Sequence, residues 1–369
     1  MLKHSIYKNM RVFFLLISLL PLLSGCDFFA YLTGESDATD EDDKHPMVQL
    51  SLAVAPHIAW MPWYLANEEE IFHQYATKHR IQLEFVSDNY QETIDKFLSE
   101  EVHAIAISNI DAIAQLIKRE LEVDVILITN KSAGNDAILL PSEADTSAHN
   151  LRGKSFALVK NSVSHYLLDR YLIRHQVAFD DINILDTAQV DIPEAFTDKK
   201  IYGVVTNNPN LYKLINEDSA KILFDSRQIP KEIFDFIIVR RETLLDHPDF
   251  AQVLLASWFS VMERLQGNKR GPTLDALASL AHLSHQQYEA QLATTPLNDT
   301  STKALAAIRD RRIRKSMRHI RYFIERHKLS GEEIFTNWVS YPGRTPAIVH
   351  FNGQHLQHFV TPETLSRDD

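Results

Sequence analysis

The sequence holds a single cysteine in 369 residues, and that scarcity excludes two things at once. No internal disulfide can form, and no metal site can be built on thiolates. Glycine is scarce as well, with ten in the chain. Loops that cradle phosphates need glycine for close backbone approach, and neither GxGxxG nor GxxxxGKS/T occurs. The chain also lacks GxSxG, so it offers no strand-to-helix nucleophile elbow. Positive charge is in short supply: 38 Lys and Arg face 49 Asp and Glu, a net charge of −11. Nucleic acid is thereby excluded as a partner, because neutralising phosphates takes a basic surface. These absences predict no bound cofactor, no metal and no catalysis. What is present, 45% hydrophobic and 24% charged residues over this length, describes a folded chain large enough for two cores.

The first residues read as an address. Lys3, Lys8 and Arg11 precede the apolar run from Val12 to Leu23, which Pro21 interrupts. That run is too short to span a bilayer comfortably, so residues 1–25 are expected to be a signal peptide. Leu23-Ser24-Gly25-Cys26 resembles the lipobox of bacterial lipoproteins. The resemblance implies cleavage before Cys26 and lipidation (palmitate) of that cysteine, which then anchors the protein to the membrane. Asp27 resembles an inner-membrane retention signal, which places the body on the periplasmic side of that membrane. Loss of the leader's three basic residues leaves 35 against 49 acidic ones, a net of −14. Residues 26–46, including the acidic run Glu35–Lys44, read as a flexible tether. Their carboxylates lack the D-x-D-x-D-G spacing of a calcium loop.

From Met47 the pattern alternates strand and helix. Strands are expected at 48–55, 81–86, 103–107, 123–128, 156–159, 182–185 and 202–206. Helices are expected at 62–74, 92–99, 111–118, 164–175, 192–198 and 210–216. This order predicts parallel α/β sheets, and the polar break at Ser142–Asn150 divides them into two units. After Ile233–Val239 the pattern becomes helical, with Phe250, Leu254, Trp258, Val261 and Leu265 on one stripe. Arg309–Lys328 holds nine basic and two acidic residues, yet Ile313, Met317, Ile320 and Ile324 recur at helical spacing. It therefore reads as an amphipathic helix with one buried face.

In open α/β sheets a ligand sits beyond the carboxyl ends of the strands, where loops enter helices. Five such segments are polar or aromatic here: Pro56–Trp63, Ser108–Asp111, Gly134–Asp136, Asn161–His165 and Thr206–Pro209. In this order they resemble the substrate-binding proteins of ABC importers of the nitrate, sulfonate, taurine and thiamine-pyrimidine group. The likeness rests on Trp60–Phe72, Ser108–Asp111, Gly134–Ile138, Leu151–Leu168 and Val205–Pro209, and covers roughly residues 48–330. Glu70, where the group has a helix-ending glycine, and Glu100, Glu101 and His103, where it has a G..D pattern, depart from it.

The resemblance implies an α/β, two-lobed periplasmic binding protein of type II, with a cleft between lobes and a helical C-terminal part. Crossings are expected near 141–149 and 225–234. The first lobe then takes residues 47–141, the second 142–232, the helical return 233–330 and a C-terminal extension 331–369. The ligand-binding candidates are Trp60, Trp63, Asn109, Asp111, Asn135, Asp136, Ser162, Ser164, His165, Thr206 and Asn207.

Trp60 or Trp63 can stack on a ligand, although one of the pair is expected in the core. Asp111 and Asp136 can accept from an amine or simply favour a helix start. Ser162 or Ser164 can cap a helix or lead its amides to a ligand oxygen. Adjacent on one helix, Ser164 and His165 point about 100° apart and form no dyad. The expected ligand is a small polar molecule with donors, such as an amino-sulfonate or aminopyrimidine, passed to an ABC permease. A ligand-binding sensor or accessory lipoprotein is the alternative.

Overall fold

The computed structural model describes residues 46–360, apart from 117, 118, 120, 148–150, 218, 330–338 and 341–346. The expected signal peptide, Cys26 and all but the last residue of the expected tether lie outside the described residues, as does most of the expected C-terminal extension. Met47–Asp369 forms one compact unit. No helix among the described residues is long and apolar enough to cross a membrane.

The strands are β1 (Val48–Ala53), β2 (Ile81–Val86), β3 (Ala104–Ser108), β4 (Val123–Lys131), β5 (Asp136–Pro141) and β6 (Ser155–Leu158). They continue with β7 (Asn183–Asp186), β8 (Gly203–Asn207), β9 (Ala220–Asp225), β10 (Phe234–Arg240), β11 (Val339–Ser340) and β12 (Val349–Phe351). One sheet runs β11-β12-β4-β10-β3-β1-β2, the other β7-β6-β8-β5-β9. Strands β1, β2 and β3 are parallel, as are β6, β7 and β8. The reversed strand in each sheet is the one that has just arrived from the other lobe. β5 lies antiparallel between β8 and β9, and β10 antiparallel between β3 and β4. The architecture is thus the α/β, two-lobed one implied by the sequence, with helices 249–266, 270–280, 285–292, 301–309 and 313–326 following the return.

Why the sheets form is plain from composition. β4 is buried along all but its last residue, the continuous apolar run of a strand covered on both faces. The 249–266 helix buries Phe250, Leu254, Trp258 and Val261, with Leu265 partly buried. Ile313, Met317, Ile320 and Ile324 are buried on the 313–326 helix, joined by Phe323.

Two expectations need correction. The first crossing runs through residues 132–135, not 141–149. The segment Gly134–Asp136, taken from the sequence as a ligand loop entering a helix, leads instead into strand β5, whose Ala137 and Leu139 already pack in the second lobe's own apolar cluster. The first sheet's stretch therefore ends at Lys131 rather than 141. The second crossing runs through residues 226–233. Part of the C-terminal extension also belongs to the first lobe: β12 pairs in parallel with β4, and Phe351 meets Phe236 edge-on at 5.5 Å.

Candidate functional site

The two crossings touch. Ser226 Oγ lies 2.7 Å from Ser132 Oγ and accepts from the Gly134 amide at 2.7 Å. Gly134 has φ +113°, a conformation that residues with a Cβ rarely adopt. This join sets Asp136 and Asp235, one from each exchanged strand, on the same side as the start of the 109–116 helix.

Three buried carboxylates result. Asp111, in that helix's first turn, accepts from Ser108 Oγ at 2.7 Å and Tyr90 Oη at 2.8 Å. Burial raises its pKa to about 6 against the pull of those two hydrogen bonds. Asp136 accepts from Ser132 Oγ at 2.5 Å. Burial again lifts it to about 6, with Ser132, Asn135 and Asn207 holding it down and the Asp111 charge adding to the rise. Asp235 stands in register between Ser108 on β3 and Asn130 on β4, and accepts from Asn130 Nδ2 at 2.8 Å. Burial, then the charges of Asp136 and Asp111, push it to about 7. Each acid thus stands in the field of another, and like charges in a dry site oppose shared ionisation.

An aromatic wall completes the site. Trp60 ends the short turn Ile58–Trp60, with ring centroids 5.0 Å from His57 and 5.6 Å from Tyr90. Burial lowers the His57 pKa to about 4, so its ring is neutral near pH 7. Among the described residues, Trp60 Nε1, which faces Asp235, closes no hydrogen bond, and Asn135 Oδ1 beside Asp136 has no partner. Both residues are almost wholly buried, at 4% and 3% exposure. Buried polar atoms are nearly always satisfied, so these two mark a place for ligand atoms.

Trp60, Asp111, Asn135, Asp136 and Asn207 are therefore brought together, and Thr206 lies beside them, since Gln189 Nε2 donates to both Thr206 Oγ1 and Asn207 Oδ1. The other candidates are spent elsewhere. Trp63 is fully buried between Phe72 and Trp258, at 6.1 and 5.0 Å, in the first lobe's core. Asn109 uses both ends of its amide to brace the second crossing, donating to the Glu232 carbonyl and accepting from the Phe234 amide. Ser162 caps its helix by accepting from the Ser164 amide, so that donor is already taken.

His165 is buried rather than presented: its ring packs among Phe179, Phe323 and His327, the last at 4.3 Å. Burial depresses its pKa to about 3, and Nδ1 accepts from the Asn161 amide. Asp235 was missed because a lone acid inside the apolar run Phe234–Val239 reads as strand. Only the fact that it opens an exchanged strand gives it away. A depression of about 810 Å³ on the second lobe involves none of these residues, being lined by Pro141, Lys154, Lys199, Lys213 and neighbours of both charges.

The fold matches solved structures at low identity. The alkanesulfonate-binding protein SsuA from Xanthomonas axonopodis pv. citri, bound to MOPS, shares 17% identity over 78% of this chain and 96% of that one, TM-score 0.63. The periplasmic aliphatic sulphonate binding protein SsuA of Escherichia coli shares 15% over 78% and 95%, also at 0.63. The periplasmic nitrate-binding protein NrtA from Synechocystis PCC 6803 shares 12% over 66% and 69%, at 0.50. No curated protein sequence matches it. The NMT1/THI5 like family model matches residues 59–258, 200 of the 369, so the chain belongs to that family.

Proposed function

We propose that the protein is a solute-binding component of an ABC importer, not an enzyme, that captures a small polar ligand between its lobes. The observation that carries this reading is the buried set Asp111, Asp136 and Asp235 beside Trp60, assembled where the two crossings meet. A site at a hinge closes around its ligand, and the closed form is what a permease can recognise. The absence of a nucleophile elbow and the engaged state of Ser162 and His165 fit binding rather than turnover. The lipobox-like Cys26 would hold the body at the periplasmic face of the inner membrane. Of the two ligand types expected from sequence, the aminopyrimidine fits better than the amino-sulfonate. Three acceptor carboxylates suit donors, and a sulfonate set among them would meet like charge.

Thermal melting of the full chain in mild detergent tests the capture. A ligand at a hundredfold its Kd adds about 2.7 kcal/mol, a rise of a few degrees. Trp60→Ala should reduce that shift, and a folded chain unmoved by sulfonates, pyrimidines, amines, nitrate and urea alike would sink the reading. The anchor is tested separately: labelled palmitate should enter the wild-type chain and not Cys26→Ser.

A further inference from the structure

Among the described residues, no lysine or arginine pairs with any of the three carboxylates. The charges acting most strongly on Asp136 and Asp235 are other carboxylates of the set, and no lysine or arginine figures among the largest influences on the three. Arg227 passes Gly134, but its guanidinium is committed to Asp225 at 2.5, 3.0 and 3.1 Å. Hydroxyls and amides supply the remaining partners, among them Tyr90, Ser108, Asn130, Ser132, Asn135 and Asn207, all neutral. His57 on the aromatic wall accepts from the Ala59 amide.

The unpartnered atoms sharpen the demand. Asn135 Oδ1 is an acceptor, buried beside Asp136, and no donor among the described residues reaches it. Trp60 adds an aromatic surface, which attracts cations by its quadrupole and fits a flat group. A bare metal ion suits the set poorly: among the described residues no three His, Cys, Asp or Glu converge as metal ligands do.

We propose, resting on the solute-binding reading above, that this site selects a flat organic cation of the amidinium or guanidinium type, whose N–H groups bridge Asp111, Asp136 and Asp235 beside Trp60. Such a planar fork matches carboxylates two N–H groups at a time. It would neutralise the cluster and donate to Asn135 Oδ1. An anion would add to the repulsion and a neutral molecule would leave it in place. The ligand class thus follows from the charge that the fold leaves uncompensated.

The test is a thermal-shift and calorimetric comparison on the full chain in mild detergent at pH 8. The cationic probes are benzamidine and agmatine. Neutral 4-aminopyrimidine, ethanesulfonate, nitrate and calcium chloride serve as the other classes. Melting should rise by several degrees with a cationic probe, less with neutral 4-aminopyrimidine, which offers N–H donors without the charge, and not at all with ethanesulfonate, nitrate or calcium. Asp235→Asn should weaken the cationic probe's binding at least tenfold while itself melting no lower than wild type. A shift with ethanesulfonate, nitrate, calcium or the neutral pyrimidine, and none with the cations, overturns the cation and leaves solute capture standing. A flat response in every class overturns both. Binding of the cation that survives intact in Asp235→Asn and Asp136→Asn overturns the assignment to these carboxylates.

Discussion

Three carboxylates buried in one another's field titrate as a set, and their ionisation opposes folding. In an unfolded chain an aspartate releases its proton near pH 4. Here Asp111 and Asp136 hold theirs to about 6 and Asp235 to about 7. A carboxylate whose folded pKa is raised contributes stability that is complete below its unfolded pKa and is lost as pH rises through the folded value. The cluster therefore costs the unliganded protein on the order of a few kcal/mol between pH 4 and 8. Buried neutral His57 and His165 work the other way, since they favour unfolding as pH falls below about 6.5. The difference between variants isolates the acids. Asp235→Asn keeps an acceptor for Asn130 and should match wild type in melting temperature at pH 4.5 but exceed it by several degrees at pH 8. Equal melting at both pH values would show that Asp235 ionises as readily in the folded protein as in the unfolded chain.

The same residues show what a sequence can and cannot reveal. Trp60 and Trp63 flank Pro62 symmetrically, yet one ends a turn at the site and the other fills a core between Phe72 and Trp258. Asn109 and Asn135 both lie at strand ends, but only the first has a backbone within reach of both its amide atoms. Residue type and position made each a candidate. Which polar ends are already satisfied depends on neighbours more than a hundred positions away.

Among the elements, helices and parallel strands were legible because their periodicity is local. The exchanged strand β5 was not, since its polar first residues look like a loop while Ala137–Leu140 is too short a run to settle a strand by itself. The helix expected over 62–74 is divided into Met61–Glu68 and Ile71–Ala76, and the reason is one residue. Glu70 lies at φ 55°, in the left-handed region, at the position where the resembling group carries glycine. Glu100, another departure from glycine, lies at φ 68°. For a residue with a Cβ this conformation costs ~1–2 kcal/mol, of which glycine returns ~0.5–1 through its freer unfolded chain. Glu70 is exposed, with no side-chain cap bond to lose. Glu70→Gly should therefore stabilise by ~0.5–1 kcal/mol, seen as a higher urea midpoint at unchanged slope. A lower midpoint would mean the glutamate makes a contribution that outweighs its backbone strain.

At the scale of the molecule, the second crossing is where three bodies are tied together. The Glu232 carboxylate accepts from Tyr166 Oη at 2.6 Å and from Arg170 Nε and Nη2 at 2.7 and 3.0 Å, all on the second lobe's 163–174 helix. His319 Nδ1, on the C-terminal 313–326 helix, lies 3.0 Å from it, while its backbone carbonyl holds Asn109 of the first lobe. The same C-terminal helix adds Ser316 Oγ to the Lys231 carbonyl, and the turn before it adds Asp310 to the Lys231 ammonium at 3.1 Å.

Burial raises the Glu232 pKa, but Arg170, Tyr166 and His319 together bring it below the ordinary value. A carboxylate so lowered stabilises above its unfolded pKa and ceases to as pH falls through its folded one. Glu232→Gln keeps the shape and removes the charge that Arg170 faces. It should cost about 2–3 kcal/mol at pH 8, less than a fully dry pair because Arg170 retains some solvent. At pH 3, below the ordinary glutamate range, that cost should be smaller. Unfolding in urea at the two pH values then separates the hinge from the site: at pH 8 Glu232→Gln lowers the midpoint while Asp235→Asn raises it. If both variants moved in the same direction, the tie at the crossing and the repulsion in the cleft would not be separate forces.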